Sequence, residues 1–520
     1  MTPLLQFRLW WRRGSAGERM GATVAVGIVV ALAAWILVPT TSDDSPTSAV
    51  QTEGTNGATA VGDTDGSSTE DTTAAGTDAA SGTNDTTGTA GGGSTAGGAT
   101  GTSGGTTGAQ STGSNCLPTP SGAPGVTDKT IAVAVTLLDL AGPIGNGAAG
   151  QASADELEAI ARAVIEDING RGGVACRQLA PKYYKFNPIN PDAGRASCLQ
   201  VIQDRPAIVV DAGGFAFPQS AYLCIPQQKI PIITVSTILQ SEAQKFAPYL
   251  ASPTSDATTM MRNTAFGLRD RGFFDPAKGF KKLGLLYDEC SQEVNDALDQ
   301  YLAKAGVTGA SKYTFPCPEN GFGSPADMAT AVSQHRRDGV THVIPLAGSG
   351  SFNRYVDAAE AQRYRPKYGV TDYQGLPITA TSALKPNGDN FDLAVAMTTN
   401  LFGMDTSPGA QLDAGTKRCQ ALIGKADLGP EKVFMGGGGL CSSLWDLEAA
   451  LKHARSLAAD GMLPGLFAAG PIQHAYPVPE ATFKSPFKFH GGDSWLPIQW
   501  HKECSCWHYL EPNRRPSFAP

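Results

Sequence analysis

Hydrophobic and polar positions divide the chain into regions of different pattern. Residues 20–39 form an unbroken apolar run, residues 40–115 contain almost no large apolar side chain, and from residue 129 short apolar runs alternate with amphipathic segments. The uncharged run is long enough to cross a hydrocarbon layer of about 30 Å, so we predict a transmembrane helix there. The polar stretch cannot bury enough apolar surface to offset its ordering entropy, so we predict a disordered Gly/Thr/Ser-rich tether.

The charges around the apolar run predict its orientation. Four arginines precede it, and Asp43 and Asp44 follow it closely. The positive-inside tendency keeps residues 1–19 in the cytoplasm and places the remaining chain on the extracytoplasmic side of a bacterial cell membrane. A cleaved signal peptide is the alternative, but its apolar region is usually about 7–15 residues long and ends at a small-residue cleavage site. The first cysteine is Cys116, so no cysteine beside the run could carry a lipid.

The folded region begins with a β-branched apolar run at residues 129–140, followed by the turn-rich string AGPIGNG, which we predict to be a loop. Ser153 and Glu156 then show the spacing of a helix capping box. Apolar residues recur at helical spacing from there to Ile168. Strand-like and helix-like segments continue to alternate, which is typical of a parallel, doubly wound sheet with helices on both faces.

The glycine-rich string NGRGGV, residues 169–174, invites comparison with a phosphate-binding loop. Such loops lie between a strand and the N-terminus of a helix, where free N–H groups face the anion. Here the glycines follow Ile168, the last apolar position of a helix. We therefore predict that they form a left-handed helix C-cap and the turn into the next strand.

A second set of alternating segments begins at residue 255, with a strand-like run at 281–289. The sequence therefore predicts an α/β protein in which two doubly wound, Rossmann-like lobes are joined by a multi-strand hinge. We assign residues 116–254 to the first lobe, 255–378 to the second lobe, and 379–520 to a return to the first lobe and to terminal hinge strands.

Net charge does not indicate a nucleic-acid partner. The formal net charge is −8, but no lysine or arginine lies between Met20 and Asp128, where nine acidic residues are found. The folded region is consequently close to neutral and lacks the basic excess that nucleic acid binding requires.

Ten cysteines all lie beyond the tether, on the side of the membrane where disulfides persist, and their even number favours pairing. Sequence alone leaves the connectivity open. The pairs closest in spacing are Cys198 with Cys224, Cys290 with Cys317, and Cys419 with Cys441.

One cysteine cluster also resembles a metal site. The string HKECSCWH contains His501, Cys504, Cys506 and His508, which are ligand types that zinc uses. The segment PIQWHKECSCWHYL has the aromatic-rich pattern of a strand, in which residues two apart share a face. Because disulfides are available to these cysteines, we predict no metal site.

The order of elements and several short strings resemble the type 1 periplasmic-binding-protein fold, in particular the leucine/isoleucine/valine-binding group of ABC-transporter solute receptors. The resemblance covers roughly residues 127–510. It is carried by AGPIGNG, AVIEDINGRGGV, IPIITVST, YLASPTSDA, KKLGLLYDE and LCSSLWDLEAALKHA, in that order. It implies two lobes that close on one small solute in a hinge cleft, with contacts from loops at the carboxyl ends of the strands.

The resemblance also implies roles for particular residues. In amino-acid binders of this type, hydroxyl and N–H groups after the IPIITVST-like strand hold the α-carboxylate, and Ser236 and Thr237 match that place. An acid of the second lobe holds the ammonium group, and Asp372 matches it; both contacts are charge-assisted. The other candidate ligand-binding residues lie in the neighbouring loops: Asn146, Gly213, Gly214, Phe215, Tyr287, Asp288 and Ser349.

Alternatives remain for several of these residues. Ser236 and Thr237 could cap the following helix, Asp288 could cap the helix after its own strand, and Asp372 could be an exposed turn residue. The string GGGGL at 436–440 is better interpreted as a flexible loop leading into a helix than as a recognition element.

We therefore predict an extracytoplasmic receptor that closes on a small polar organic ligand, amino-acid-like or a small carboxylate or amide, and serves an ABC-type importer through its permease. A ligand-sensing or regulatory membrane protein of the same fold, without a transport role, is the alternative. The sequence contains no G-x-S-x-G, H-E-x-x-H or P-loop motif, so we predict neither an enzyme nor a cofactor.

Overall fold

The computed structural model describes eight stretches of the chain: 116–140, 142–187, 191–213, 221–317, 323–374, 386, 388–486 and 488–519. The predicted transmembrane helix at 20–39 and the predicted tether at 40–115 lie outside the described residues, as do Gly214 and Phe215. None of the helices within those eight stretches combines the length and the apolar composition that crossing a bilayer requires.

A five-stranded parallel sheet forms the centre of the first lobe, with strand order β2-β1-β3-β4-β5. Its strands are β1 (Thr130–Leu138), β2 (Gln178–Phe186), β3 (Ile208–Ala212), β4 (Ile232–Thr234) and β5 (Leu250–Ala251). The central strands β1 and β3 are apolar almost throughout because helices cover both faces of the sheet.

Five helices accompany this sheet: α1 (Gly142–Ala148), α2 (Ala154–Gly170), α3 (Pro191–Gln203), α4 (Cys224–Gln227) and α5 (Gln240–Lys245). The predicted capping box of α2 is confirmed, since Ser153 Oγ accepts from the Glu156 N–H at 3.2 Å and the Glu156 carboxylate accepts from the Ser153 N–H at 2.8 Å. The glycines after α2 also act as predicted, because Gly172 and Gly173 have φ angles of 100° and 73° in the left-handed region.

The second lobe is built on an eight-stranded sheet with the order β14-β13-β10-β9-β8-β6-β7, in which β15 also pairs with β13. Its strands are β6 (Leu283–Asp288), β7 (Ser311–Phe315), β8 (His342–Leu346), β9 (Lys367–Thr371), β10 (Val395–Thr398), β13 (Ser494–His501), β14 (Cys506–Tyr509) and β15 (Arg515–Pro516). β6 to β10 are parallel, whereas β13 to β15 pair antiparallel. Two short strands, β11 (Ile472–Gln473) and β12 (Glu480–Ala481), form a separate pair.

The remaining helices show how the chain moves between the lobes. The second sheet is accompanied by α6 (Ala257–Asp270), α7 (Gln292–Lys304), α8 (Pro325–Arg337), α9 (Ser349–Ala361) and α10 (Gly388–Phe391). Three later helices follow: α11 (Ala414–Lys425), α12 (Gly437–His453) and α13 (Ala459–Met462). α11 and α12 pack against α2 of the first lobe, whereas β10, β13, β14 and β15 extend the second sheet. The predicted α/β fold built on parallel sheets is confirmed, and antiparallel strands extend the second sheet.

Three local predictions are wrong. AGPIGNG contains the helix α1 rather than an open loop, and PIQWHKECSCWHYL is a hairpin of β13 and β14 with a turn at 502–505 rather than one strand. The glycines of GGGGL form the buried first turn of α12 instead of a flexible loop. At Gly438 a Cβ atom would lie 1.9 Å from the carbonyl oxygen of Tyr476, so glycine allows the helix to approach that segment.

All ten cysteines are paired in disulfides. The three candidate pairs are present, linking Cys198 to Cys224, Cys290 to Cys317 and Cys419 to Cys441. The other two disulfides join Cys116 to Cys176 and Cys504 to Cys506.

Candidate functional site at the carboxyl edges of the two sheets

The predicted site residues follow strands that end at a common edge of each sheet. In the first sheet, Asp211 of β3 lies opposite Thr234 of β4, so Gly213 and Ser236 follow at the same edge. In the second sheet, Tyr287 of β6 lies opposite Leu346 of β8. Since parallel strands end together, the loops after β6, β8 and β9 are also neighbours.

Two side-chain contacts link the segment after β4 to helices of the second lobe. Ser241, in the first turn of α5, donates its hydroxyl hydrogen to the carboxylate of Glu293, in the first turn of α7. Thr237 Oγ1 lies 4.0 Å from the sulfur of Met260 in α6. Because α5 and α7 follow β4 and β6 respectively, these contacts bring the segment after β4 close to the segment after β6.

Ser236 and Thr237 are half-buried and precede α5 without capping it. The helix begins at Gln240, with Leu239 at the N-cap position. The backbone of Ser236 is held by its N–H, which donates to Thr234 Oγ1 at 3.1 Å, and by its carbonyl oxygen, which accepts from Ser252 Oγ at 3.0 Å. Its own hydroxyl makes no hydrogen bond within the part of the chain that the structure describes, and so remains available to a solute.

A buried acid that sequence reasoning missed supports this loop. Asp211 is fully buried, and its two carboxylate oxygens accept from Thr136 Oγ1 of β1 and Thr234 Oγ1 of β4, both at 2.7 Å. Thr234 therefore donates to Asp211 while it accepts from the Ser236 N–H. A lone acid inside the apolar strand IVVDA was the available signal, because buried acids are rare unless they are hydrogen-bonded.

Asp372 lies at the end of β9 and is buried, with 7% of its surface exposed. Its Oδ2 accepts both the N–H and the hydroxyl hydrogen of Thr399, the latter at 2.5 Å. Its Oδ1 has no hydrogen-bond partner among the described residues. Burial raises the pKa of Asp372 above its ordinary value. Hydrogen bonds from Thr398 and Thr399 and the charge of Arg514 act in the opposite direction. Asp372 is therefore not an exposed turn residue.

Arg514 holds the other side of the Thr399 turn and was also missed by sequence reasoning. Its guanidinium donates to the carbonyl oxygens of Thr399 at 2.6 Å, Asn400 at 2.8 Å and Ser494 at 2.9 Å, and to Ser494 Oγ at 2.8 Å. Burial lowers the pKa of Arg514 to about 10, although Asp372 and Tyr509 act in the opposite direction. The turn after β10 is thus fixed between an acid and a base.

Asp288, at the end of β6, resembles Asp372 in its surroundings. It is 7% exposed, burial raises its pKa, and Oδ1 has no hydrogen-bond partner within the described ranges. Hydrogen bonds from Ser291 and from the Cys290 N–H act against this rise in the pKa, so the Asp288 carboxylate also faces the helical turn that follows. The loops after β6 and β9 are in contact, since Ser291 Oγ lies 3.0 Å from Tyr373 Oη.

Two other candidate side chains form hydrogen bonds within the protein that hold the fold. The Asn146 side chain donates to the carbonyl oxygens of Leu138 at 2.9 Å and Ala152 at 2.7 Å and accepts from the Leu140 N–H at 2.6 Å, which draws the segment into the compact helix α1. The hydroxyl of Tyr287 donates to Asp299 of α7 at 2.8 Å. The Asn146 amide therefore has no free donor for a solute, and the Tyr287 ring packs beneath α7.

Two further candidates are located by their backbone. Gly213 has a φ of 91° and forms a β-bridge with Leu137, which suits a turn at the end of β3. Ser349 is the first residue of α9, directly after β8. Gly213 and Ser236 thus follow strands at the carboxyl edge of the first sheet, and Asp288 and Asp372 lie at the carboxyl edge of the second.

Comparison with solved structures identifies the fold. The ABC transporter substrate-binding protein from Desulfitobacterium hafniense in complex with Leu is 12% identical, with a TM-score of 0.53, over 74% of this chain and 100% of that one. The branched-chain amino acid transporter substrate-binding protein LivJ from Streptococcus pneumoniae, in complex with isoleucine, is 13% identical, with a TM-score of 0.53, over 74% and 100%. A solute-binding protein of an ABC transporter from Rhodopseudomonas palustris, in complex with p-hydroxybenzoic acid, is 13% identical, with a TM-score of 0.54, over 75% and 98%.

No protein-family profile and no curated protein matches the sequence. The structural similarity shows that the chain has the type 1 periplasmic-binding-protein fold, as the short strings and their order predict. Identity this low establishes the fold alone.

Proposed function

We propose that this protein is an extracytoplasmic solute-binding receptor whose lobes close on a small amino-acid-like molecule, without any catalytic step, and present it to an ABC-type permease. The observation that carries the proposal is the Oδ1 atom of Asp372, which is buried at the carboxyl edge of the second sheet and has no hydrogen-bond partner among the residues that the structure describes. A buried carboxylate oxygen without a partner is unfavourable, and an ammonium group would supply a charge-assisted hydrogen bond.

The first lobe offers the complementary chemistry. The free hydroxyl of Ser236 and the donors around Thr237 suit a carboxylate, and the Asp211–Thr234 pair holds their loop in place. An α-amino acid carries one carboxylate and one ammonium group, so it would join the two lobes through Ser236 and Asp372. Binding would then favour the closed state, because only closure brings both groups to the same solute.

Asp288 would accept a second donor from the solute. It lies two strands from Asp372, which corresponds to about 10 Å at the usual strand spacing. Its unpartnered Oδ1 is buried like that of Asp372. This favours an amino acid with a polar or amide side chain over a purely aliphatic one.

The solved structures of this fold support a carboxylate-bearing ligand. They contain leucine, isoleucine and p-hydroxybenzoic acid, which share a carboxylate and differ in the rest of the molecule. The five disulfides of the chain support an extracytoplasmic location, where such bonds persist. We further propose that residues 20–39 anchor the receptor in the membrane beside its permease.

A thermal-shift screen tests the ligand. The purified protein would be heated with single amino acids, amides, small carboxylates and hydroxybenzoates; a ligand at 100 times its Kd adds about 2.7 kcal/mol to the free energy of unfolding. We expect an amino acid to stabilise the wild-type protein and Asp372→Asn to abolish that effect. Asp389→Asn, at an exposed acid of the same lobe, is the matched control and should respond like the wild type.

Two outcomes would contradict the proposal. One is that no compound in the screen shifts the melting temperature of the wild-type protein. The other is that Asp372→Asn retains the full shift, in which case the ammonium group is not held by Asp372.

A further inference from the structure

The Cys504–Cys506 disulfide differs from the other four in the length of chain that it closes. Its cysteines are only 2 residues apart, whereas the other pairs are separated by 22 to 60 residues. A disulfide stabilises a fold mainly by restricting the unfolded chain, and that restriction grows with loop length. This bond therefore contributes little to stability, and a chemical role explains it better.

His508 lies at ligand distance from both sulfur atoms. Its Nε2 is 3.3 Å from Cys506 Sγ and 3.7 Å from Cys504 Sγ. In a tetrahedral zinc site the metal lies about 2.3 Å from sulfur and about 2.0–2.1 Å from nitrogen, which places nitrogen and sulfur ligands about 3.6 Å apart. The imidazole thus already has the spacing of a shared metal site with either sulfur.

The ligand atoms of Cys504, Cys506 and His508 all lie within 4.8 Å of one another, and a second histidine lies beside this group. His501 of β13 pairs directly with Cys506 of β14, and the rings of His501 and His508 have centroids 4.4 Å apart. Directly paired residues and residues two apart on a strand share a face, so His501, Cys506 and His508 lie on one face of the hairpin. Cys504 is exposed in the adjoining turn, where solvent and a reductant can reach it.

The opposite face of the hairpin provides a rigid support. Trp500 and Trp507 are each only 1% exposed, and their rings contact each other with centroids 5.4 Å apart. Both also contact the buried ring of Phe391. Ligands on a strand pair that is anchored in the core hold their geometry better than ligands on a free loop.

We propose that reduction of the Cys504–Cys506 disulfide opens a zinc site formed by Cys504, Cys506 and His508. A dithiol reductant attacks the disulfide, becomes oxidised to its own disulfide, and transfers two electrons and two protons to the cysteine sulfurs. Zn²⁺ then displaces the two thiol protons and binds two thiolates and the neutral imidazole of His508, with water in the fourth position. The oxidised hairpin offers no thiolate, so zinc binding is confined to the reduced form.

The test uses the full chain and Co²⁺ as a spectroscopic probe, followed by Zn²⁺ competition against a chromophoric chelator. Wild type and a Cys504→Ser/Cys506→Ser variant are reduced identically with a phosphine, so the other eight cysteines serve as a control for non-specific thiols. We expect the reduced wild type to bind one equivalent of Co²⁺ with thiolate charge-transfer bands. The double variant should lack those bands, and His508→Ala should weaken Zn²⁺ binding on the order of tenfold or more.

The proposal is overturned if the reduced wild type binds no metal, or if the double variant binds as much Co²⁺ as the wild type. Binding of the same equivalent by the oxidised wild type would also overturn it, because no thiolate is then present at the hairpin. Far-ultraviolet circular dichroism of each variant, compared with the wild type under the same reduction, separates loss of the site from loss of the fold.

Discussion

Replacing Arg514 by alanine removes the guanidinium group that holds the turn after β10, at Thr399 and Asn400. The guanidinium donates four hydrogen bonds, at 2.6 to 2.9 Å, to acceptors on Thr399, Asn400 and Ser494. These acceptors belong to the ends of β10 and β13, so one side chain joins two antiparallel strands of the second sheet. Its positive charge also opposes the rise that burial causes in the pKa of the neighbouring Asp372.

The expected magnitude follows from these contacts. A hydrogen bond to a charged group contributes about 1.5–3 kcal/mol. The four bonds of Arg514 share one side chain and cannot be added independently. We therefore expect Arg514→Ala to lower the free energy of unfolding by about 1.5–3 kcal/mol.

The neighbouring residue supplies a matched control. Arg515 is exposed and pairs with Glu511 at 2.6 Å, an interaction of the kind that contributes about 0.2–1 kcal/mol. Urea unfolding of Arg514→Ala and Arg515→Ala, followed by tryptophan fluorescence and circular dichroism, compares the two costs through the transition midpoints. If Arg514→Ala lowers the free energy of unfolding no more than Arg515→Ala does, the stabilising role of Arg514 is refuted.

Two further predictions concern stability. Burial lowers the pKa of His335 to about 4, below the unfolded value near 6.5, so protonation favours the unfolded chain. The contribution of His335 to the free energy of unfolding should be fully present above pH 6.5 and fall by up to about 3 kcal/mol as the pH drops to 4. In urea titrations at several pH values, His335→Gln should make this decline smaller. An unchanged dependence on pH would disprove the assignment to His335. Gly438→Ala should destabilise by about 1–3 kcal/mol, because its Cβ would meet Tyr476 O at 1.9 Å, whereas Gly424→Ala in α11, with open space around it, should be neutral or stabilising in thermal melts.

Local sequence signals determined the elements and their order. These signals are the capping box of Ser153 and Glu156, the glycines after α2 and the apolar strands. Each involves residues only a few positions apart, so it can be read from a short segment of the sequence. Alternating strands and helices then imply parallel sheets, whose carboxyl edges must carry the loops of the site. Asp372 could be placed at such an edge from the sequence alone.

The surroundings of those residues were decided only by tertiary structure. Asp372 is bonded to Thr399, 27 positions later, and Thr399 is bonded in turn to Arg514, 115 positions beyond. The glycines at the start of α12 are buried because Tyr476 O approaches Gly438, and no pattern within the string GGGGL indicates that neighbour. Hydrogen bonding and close packing between remote segments depend on how the sheets and helices pack against each other. The periodicity of the sequence does not predict these contacts.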